Sequence, residues 1–156
     1  MDFKPMMKDL LKGPLVPRTK IEKTWHEKGG IYVVWGCKEL KPLLVANDLK
    51  IHASKQNNHE VILNFRNAIK RSLTRHDLEG NELFCFYVGK TAHLKKRMAI
   101  QRYRKIQDHV GQKLNSELKA MLRVSFSEMP NWEDRFYAEG YAIALLLPVV
   151  NVQPER

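Results

Sequence analysis

The sequence predicts an α/β fold of the α+β type, with a small mixed sheet of about three strands flanked by helices. Three observations support this prediction. Leu83–Val88 is a continuous apolar run, typical of a strand buried on both faces. Gly30–Trp35 contains a second apolar run, and Leu122–Ser127 alternates apolar with polar residues, as a half-exposed strand does. Segments with helical spacing lie between and after these strands.

The N-terminal arm, residues 1–29, is expected to be helical. Residues 1–12 predict a short amphipathic helix that ends at Gly13-Pro14 and buries one side. Thr19–Glu22 has the pattern of a capping box, which predicts a second helix to about Glu27. The buried side of the first helix is expected to consist of Met6, Met7, Leu10 and Leu11.

The segment 37–82 separates the first two strands. Leu43–Val45 is interpreted as a short strand and Ser54–Asn58 as a polar loop. Glu60–Leu73 has helical spacing of its apolar residues, and Glu79–Asn81 predicts a turn into the next strand. The basic residues of that helix, which are candidates for DNA contact, are Arg66, Lys70 and Arg71.

The composition favours a polyanionic partner. The chain has 156 residues, enough for one domain, and a formal net charge of +10. That charge favours nucleic acid over a membrane surface, although a basic surface without a partner is the plain alternative. Two cysteines without metal-like spacing predict reduced thiols in a cytoplasmic protein. No apolar run reaches the ~20 residues of a membrane span, and no signal peptide is recognisable.

A basic helix is predicted to follow the strand Leu83–Val88. Gly89 is expected to end the strand, and Thr91 to cap a helix over about Ala92–His109. Charge runs on helices are usually solvated faces. Here the run adjoins a turn that holds Tyr87 and Lys90, so we expect it to bind phosphate. Its six basic residues are Lys95, Lys96, Arg97, Arg102, Arg104 and Lys105.

Glu139 is the unusual residue of the last predicted helix, Trp132–Leu147, which Asn131 caps. It shares a face with apolar residues such as Phe136 and Ile143, and Arg135 is the one basic residue within four positions. A carboxylate on an apolar stripe is costly unless it is paired or binds a cation. A structural salt bridge and a hard divalent cation are both open interpretations.

Together these motifs resemble the GIY-YIG nuclease domain. Gly30-Ile31-Tyr32 and Tyr87-Val88-Gly89 match the two halves of its signature. Lys90 and Arg97 stand three and ten residues after Tyr87. Asn151 stands twelve residues after Glu139, with Pro148 three residues before Asn151. The resemblance covers about 30–35 and 83–152, and it makes the whole chain, 1–156, a single nuclease-like domain.

The resemblance implies a role for each matched residue. Tyr32 would act as general base or orient the attacking water, and Tyr87 would share its proton network. Lys90 and Arg97 would hold the scissile phosphate. Glu139 would bind one Mg²⁺ or Mn²⁺ per site, and Asn151 would fix the last segment against the site. Tyrosine, with a reference pKa of about 10, is a poor base at neutral pH, so nearby cations must favour its ionised form.

Two features depart from the family's pattern. Tyr32 and Tyr87 are separated by 54 residues, whereas most relatives join these strands by a short turn. Restriction endonucleases of the family insert segments there and add N-terminal arms. In relatives, the position four after Arg97 is often a His or Tyr that could act as a third base in the active site. Here that position is Gln101. Residues that could supply this base instead are His93, Tyr103 and His109. Residues of these types on a helix more often have no catalytic role.

The resemblance implies a magnesium-dependent DNA endonuclease. A sequence-specific type II restriction enzyme is favoured, acting on double-stranded DNA as a homodimer, because two-fold symmetry suits a palindrome. The alternatives are a structure-specific, homing or repair nuclease, and an inactive DNA-binding protein of the same fold. Sequence selectivity is expected from the insert and the arm, since phosphate contacts carry no base information.

Overall fold

The computed structural model describes residues 2–45, 65–100 and 120–150. The helices are α1 (Lys4–Lys12), α2 (Leu40–Val45), α3 (Phe65–Arg71), α4 (Leu94–Ile100) and α5 (Trp132–Leu146), with a 3₁₀ turn at Lys23–Trp25. The strands are β1 (Val16–Pro17), β2 (Gly30–Cys37), β3 (Thr74–His76), β4 (Glu82–Thr91) and β5 (Leu122–Glu128).

The described strands form one sheet in the order β1-β5-β2-β4-β3. All of its pairings are antiparallel. The α+β class is therefore confirmed, but the prediction of a mixed sheet of about three strands is wrong. The three predicted strands are the long central ones, β2, β4 and β5. The two additional strands have only two and three residues, too short to produce a period in the sequence.

Helices cover both faces of the sheet. One face packs against α2, α3 and α4, through residues that include Leu40, Ala68 and Leu94. The other face packs against α1 and α5, through residues that include Leu10 and Ala142. The sheet is thus the middle of three layers, which explains why β2 and β4 are apolar at almost every position.

The prediction that β5 is half-exposed is wrong, because α1 covers its polar residues. Ser125 and Ser127 are buried. Ser125 Oγ donates a hydrogen bond to Leu10 O, and Ser127 Oγ donates one to Asp9 Oδ2, both at 2.8 Å. Trp35 Nε1 in turn donates to Ser125 Oγ at 2.8 Å. The serines on this strand therefore bind the helix instead of water.

The N-terminal arm is only partly as predicted. Helix α1 is confirmed, with Met6 and Leu10 fully buried. Arg75 in β3 holds the end of this helix, since its guanidinium donates to Leu10 O at 2.9 Å and to Gly13 O at 3.1 Å. The second helix is wrong: only a 3₁₀ turn forms, after Glu22 in an extended conformation.

The segment between β2 and β4 also departs from the predictions. Leu43–Val45 lies in α2 instead of a strand, because Leu40 and Leu44 share one helix face and are both buried. The helix predicted from Glu60 is described from Phe65 and ends at Arg71. The polar loop 54–58 lies outside the described residues. The turn at Gly80 is confirmed, with a φ of 82°.

The remaining expectations concern the thiols, the last helix and the membrane. Both cysteines are free, and burial raises the pKa of the Cys85 thiol well above its ordinary value. Helix α5 begins as predicted, since Asn131 Oδ1 accepts hydrogen bonds from Glu133 N at 2.9 Å and Asp134 N at 3.4 Å. Among the described helices, none has the length and apolar character needed to cross a membrane.

Candidate active site

The candidate site lies where β2 and β4 pair at the Gly89 end of the sheet. Gly89 does not end the strand as predicted: β4 runs on to Thr91, so Lys90 is a strand residue and not part of a turn. Tyr32 is paired with Gly89 and Ile31 with Lys90. A Cβ atom on Gly89 would overlap the ring and the hydroxyl oxygen of Tyr32. The missing side chain is therefore what allows the Tyr32 phenol to lie across β4.

Two tyrosines and an arginine form the first polar group of the site. The rings of Tyr32 and Tyr87, both buried, are stacked with centroids 6.0 Å apart. Arg97 from α4 donates from Nε to the Tyr32 hydroxyl at 3.1 Å. Its Nη2 lies 3.5 Å from the Tyr87 hydroxyl. A cation that donates to a phenol oxygen favours the ionised phenolate, which is the form a general base requires.

The start of α4 sets the position of Arg97. Thr91 Oγ1 accepts a hydrogen bond from His93 N at 3.0 Å, and His93 Nδ1 accepts one from Lys96 N at 3.3 Å. The predicted cap at Thr91 is therefore wrong: Thr91 supports the turn, and His93 caps a helix that begins at Leu94. Because Nδ1 of His93 is engaged in capping, this residue is poorly suited to replace the third base.

Lys90 and Glu139 form the second polar group. Lys90 Nζ donates to Glu139 Oε1 at 2.8 Å. The Glu139 side chain is 0% exposed and the Lys90 side chain 25% exposed. The sequence pointed to Arg135 as a nearby base, but Arg135 donates to the carbonyl oxygens of Met129 and Pro130. The partner of Glu139 thus comes from β4, and it is itself a predicted site residue.

The two groups flank Gly89 from opposite sides of the sheet. Successive strand residues alternate between faces, so Tyr32 and Lys90 leave the β2–β4 pair on different sides. Tyr32 and Tyr87 belong to the core beside α4, whereas α5 packs on the other face. Within the part of the chain that the structure describes, the five residues therefore lie at one end of the sheet as two hydrogen-bonded groups on opposite faces.

Glu139 is the residue that could hold a metal. Its buried carboxylate offers a hard oxygen ligand, and Lys90 already binds one of its two oxygens. Among the described residues, no three or more His, Cys, Asp or Glu side chains gather into a possible metal site. With one carboxylate as its protein ligand, Mg²⁺ or Mn²⁺ would keep several waters, and the fully buried Glu139 carboxylate would have to become accessible to them.

Several predicted site residues lie elsewhere or cannot be placed. Arg66, Lys70 and Arg71 are exposed on α3, and Lys95 and Lys96 are exposed on α4. Val149 N and Val150 N donate to Cys85 O and Phe86 O, so the chain passes beside β4 just before position 151. Asn151, Arg102, Arg104 and Lys105 lie outside the described residues, as do Gln101, Tyr103 and His109.

Phe136 was placed wrongly by the sequence pattern. It shares the apolar stripe of Glu139, which predicts burial, yet it is 51% exposed. The Lys90 ammonium lies 5.8 Å from the centre of its ring. The spacing between Phe136 and Glu139, three positions along a helix, already indicated that the two side chains are neighbours.

Comparisons of the chain with protein-family models, with curated proteins and with solved structures gave no match.

Proposed function

We propose that the protein is a divalent-metal-dependent endonuclease that hydrolyses phosphodiester bonds in double-stranded DNA. The observation that supports it best is Arg97, whose guanidinium contacts two buried tyrosine hydroxyls at the strand end that also holds Lys90 and Glu139. Phosphodiester hydrolysis needs a base for water, cations for the phosphoryl oxygens and stabilisation of the leaving oxygen. This set of side chains contains groups suited to the first two tasks.

In the proposed mechanism Arg97 meets the DNA first. It is half-buried, whereas both phenols are closed from solvent. As Arg97 engages a phosphate, it keeps a contact with the Tyr32 oxygen and so favours the phenolate that forms when Tyr32 gives its proton to solvent. This phenolate then accepts the proton of the attacking water. Lys90 is also partly exposed and provides a second cation for the phosphoryl oxygens. A metal held by Glu139 would stabilise the negative charge that develops on the phosphate in the transition state.

A sequence-specific type II restriction enzyme acting as a homodimer is the form of this function that we favour. The 54 residues between Tyr32 and Tyr87 support it, because an insert of this length can supply contacts to bases that select the cutting sequence. A structure-specific, homing or repair nuclease is the second form. Sequencing the ends of digested DNA separates them, since a restriction enzyme produces one short sequence at every end.

A plasmid-nicking assay tests the proposal. The wild-type protein should convert supercoiled plasmid to nicked and linear DNA with Mg²⁺, and should leave it intact in EDTA. Tyr32→Phe removes a single hydroxyl and should abolish cutting. Tyr141→Phe, a change at a more exposed tyrosine of α5, is the matched control and should cut normally.

Undiminished cutting by Tyr32→Phe would remove the proposed base. Tight DNA binding without any cutting by the wild type, with either Mg²⁺ or Mn²⁺, would instead identify an inactive DNA-binding protein.

A further inference from the structure

Two exposed aromatic side chains stand in line with Glu139 on α5. Trp132 is 67% exposed and Phe136 51% exposed, although α5 is otherwise anchored by a buried apolar face. Trp132, Phe136 and Glu139 stand at positions i, i+4 and i+7, which places them on one stripe of the helix. Trp132 and Glu139 are separated by about 10 Å along the helix axis. We call Trp132 and Phe136 together the aromatic platform.

Lys90 connects the platform to the candidate site. Its ammonium lies 5.8 Å from the ring centre of Phe136 and 2.8 Å from Glu139 Oε1. The first distance is within the range of a cation–π contact. A phosphate that binds Lys90 would therefore have an exposed aromatic surface directly beside it.

The surroundings of the platform favour DNA over a second copy of this chain. The formal net charge is +10, so two copies meeting at a face beside Lys90 would bring like charges together. The cation beside the platform is Lys90, whereas Lys95 and Lys96 lie on α4 at the other face of the sheet. A cation that can bind the backbone, beside an aromatic ring on which a base can stack, is a combination found in proteins that bind single strands.

From this arrangement we infer that the aromatic platform stacks against an unpaired base of the nucleotide next to the scissile phosphate. This inference rests on the proposed function and, of its two forms, supports the structure-specific nuclease. A base inside a continuous duplex has both ring faces covered by its neighbours, so it must leave the stack to reach Trp132. DNA with an unpaired nucleotide at the cutting position should therefore bind more tightly than uninterrupted duplex.

Binding in EDTA tests the inference without cleavage. Three duplexes of identical length are compared: one fully paired, one with a single unpaired nucleotide, and one with an abasic site at that position. The wild type should prefer the unpaired nucleotide. Trp132→Ala should weaken that complex by roughly 5- to 100-fold, the usual range for loss of one base–aromatic stack. Its affinity for the abasic duplex should be unchanged.

Tyr141→Ala is the matched control. Tyr141 is 41% exposed on α5, but its ring packs against Phe3 and not against the platform, so its loss should leave all three affinities unchanged. Circular dichroism establishes that both variants fold. Fluorescence gives a second readout, because Trp35 is buried and Trp25 packs against the core, which makes Trp132 the tryptophan that a stacked base would quench.

The outcomes separate this inference from the proposed function. Equal weakening of the abasic and unpaired complexes by Trp132→Ala would overturn stacking, as would no preference by the wild type. If Trp132→Ala dissociates a dimer and leaves DNA binding intact, the platform is a contact between copies and the inference is wrong. Preference for the unpaired nucleotide without cutting in Mg²⁺ would contradict the nuclease but support the platform. Normal cutting by Trp132→Ala, with an unaltered preference for the unpaired nucleotide, would support the nuclease and contradict the platform.

Discussion

The two polar groups at the Gly89 end of the sheet differ in the charge that they place inside the protein. The first group buries two tyrosine side chains and keeps its charged member, Arg97, half-buried. The second group buries a carboxylate completely and leaves the ammonium of Lys90 partly exposed. A buried hydroxyl needs only a hydrogen bond, whereas a buried carboxylate costs several kcal/mol unless it is paired.

This difference predicts how costly it is to remove the cation of each group. Removing Arg97 leaves two buried hydroxyl groups with fewer hydrogen bonds. Removing Lys90 leaves a buried carboxylate without its ammonium partner, which is strongly destabilising even though such a pair contributes little net stability compared with apolar residues. Each of the following changes tests one side of this comparison.

The largest expected effect is that of Glu139→Gln on cleavage. The change keeps the volume and removes the charge, so the proposed metal ligand would be lost and Mg²⁺-dependent cutting should fall by several orders of magnitude. DNA binding in EDTA should be retained or tightened, because a carboxylate repels a nearby phosphate. Glu133→Gln, at an exposed position of the same helix, is the control and should cut normally.

Full activity of Glu139→Gln would contradict the metal assignment and most of the proposed mechanism. Loss of folding by circular dichroism would instead identify the Lys90–Glu139 pair as a structural salt bridge.

Lys90→Ala and Arg97→Ala should differ in stability. Lys90→Ala should cost about 3 kcal/mol, the lower end of the range for a broken buried pair, because Lys90 itself retains contact with water. Arg97→Ala removes hydrogen bonds to the two phenol oxygens and should cost about 1 kcal/mol. Urea unfolding of the two variants measures the free energy of unfolding that each one loses. Equal losses would show that the buried charge of Glu139 does not make the second group more sensitive than the first.

Gly89→Ala should disturb the tyrosine group alone. A Cβ atom would overlap the Tyr32 phenol, and the buried ring has little room to move. The expected loss is about 1–3 kcal/mol in urea unfolding, together with reduced cutting. Gly80→Ala is a useful contrast: its Cβ would meet nothing within 4 Å, but its φ of 82° strains any other residue, so it should lose stability without losing activity.

The sequence predicted the central strands and the last helix well because their signals are local. The apolar run before Gly89 and the cap at Asn131 depend on neighbours in the chain, and both are found where expected. The failures depend on distant contacts. Ser125 and Ser127 look like exposed strand residues until α1 is known to cover them. The two-residue strand β1 exists only because Val16 pairs with Val124.

The sequence was enough to choose the candidate residues but not to give their arrangement. Motif spacing singled out Tyr32, Tyr87, Lys90, Arg97 and Glu139. It could not show that they form two groups, since that depends on the register that pairs Tyr32 with Gly89. Nor could it show that Lys90 is the partner of Glu139, which lies 49 residues further along the chain. The exposure of Phe136 likewise depends on how α5 is rotated against the sheet.

A smaller effect is expected from the lysines that precede Arg97. Lys95 and Lys96 are exposed on the first turn of α4, so they should add affinity without taking part in the chemical step. Neutralising both to Ala should reduce the slope of log affinity against log salt by about 0.9 for each phosphate that the protein no longer neutralises. Cleavage at saturating DNA should be unchanged. An unaltered slope would place the DNA on another face of the molecule.

Replacing the basic residues of α3 should have the smallest effect on stability and on the chemical step. It should change only the DNA sequences at which the protein cuts. Ala68 and Ile69 pack α3 against the core, so Arg66, Lys70 and Arg71 point outward and can be changed at within about 0.5 kcal/mol. The triple Ala variant should cut at additional sequences while its rate on the preferred site changes little. Lys4, Lys8 and Lys12, exposed on α1 at the opposite face of the sheet, provide a control with the same change in charge. If both triple variants cut the same sites with the same preference, α3 does not contact bases, and sequence selectivity must come from another part of the chain.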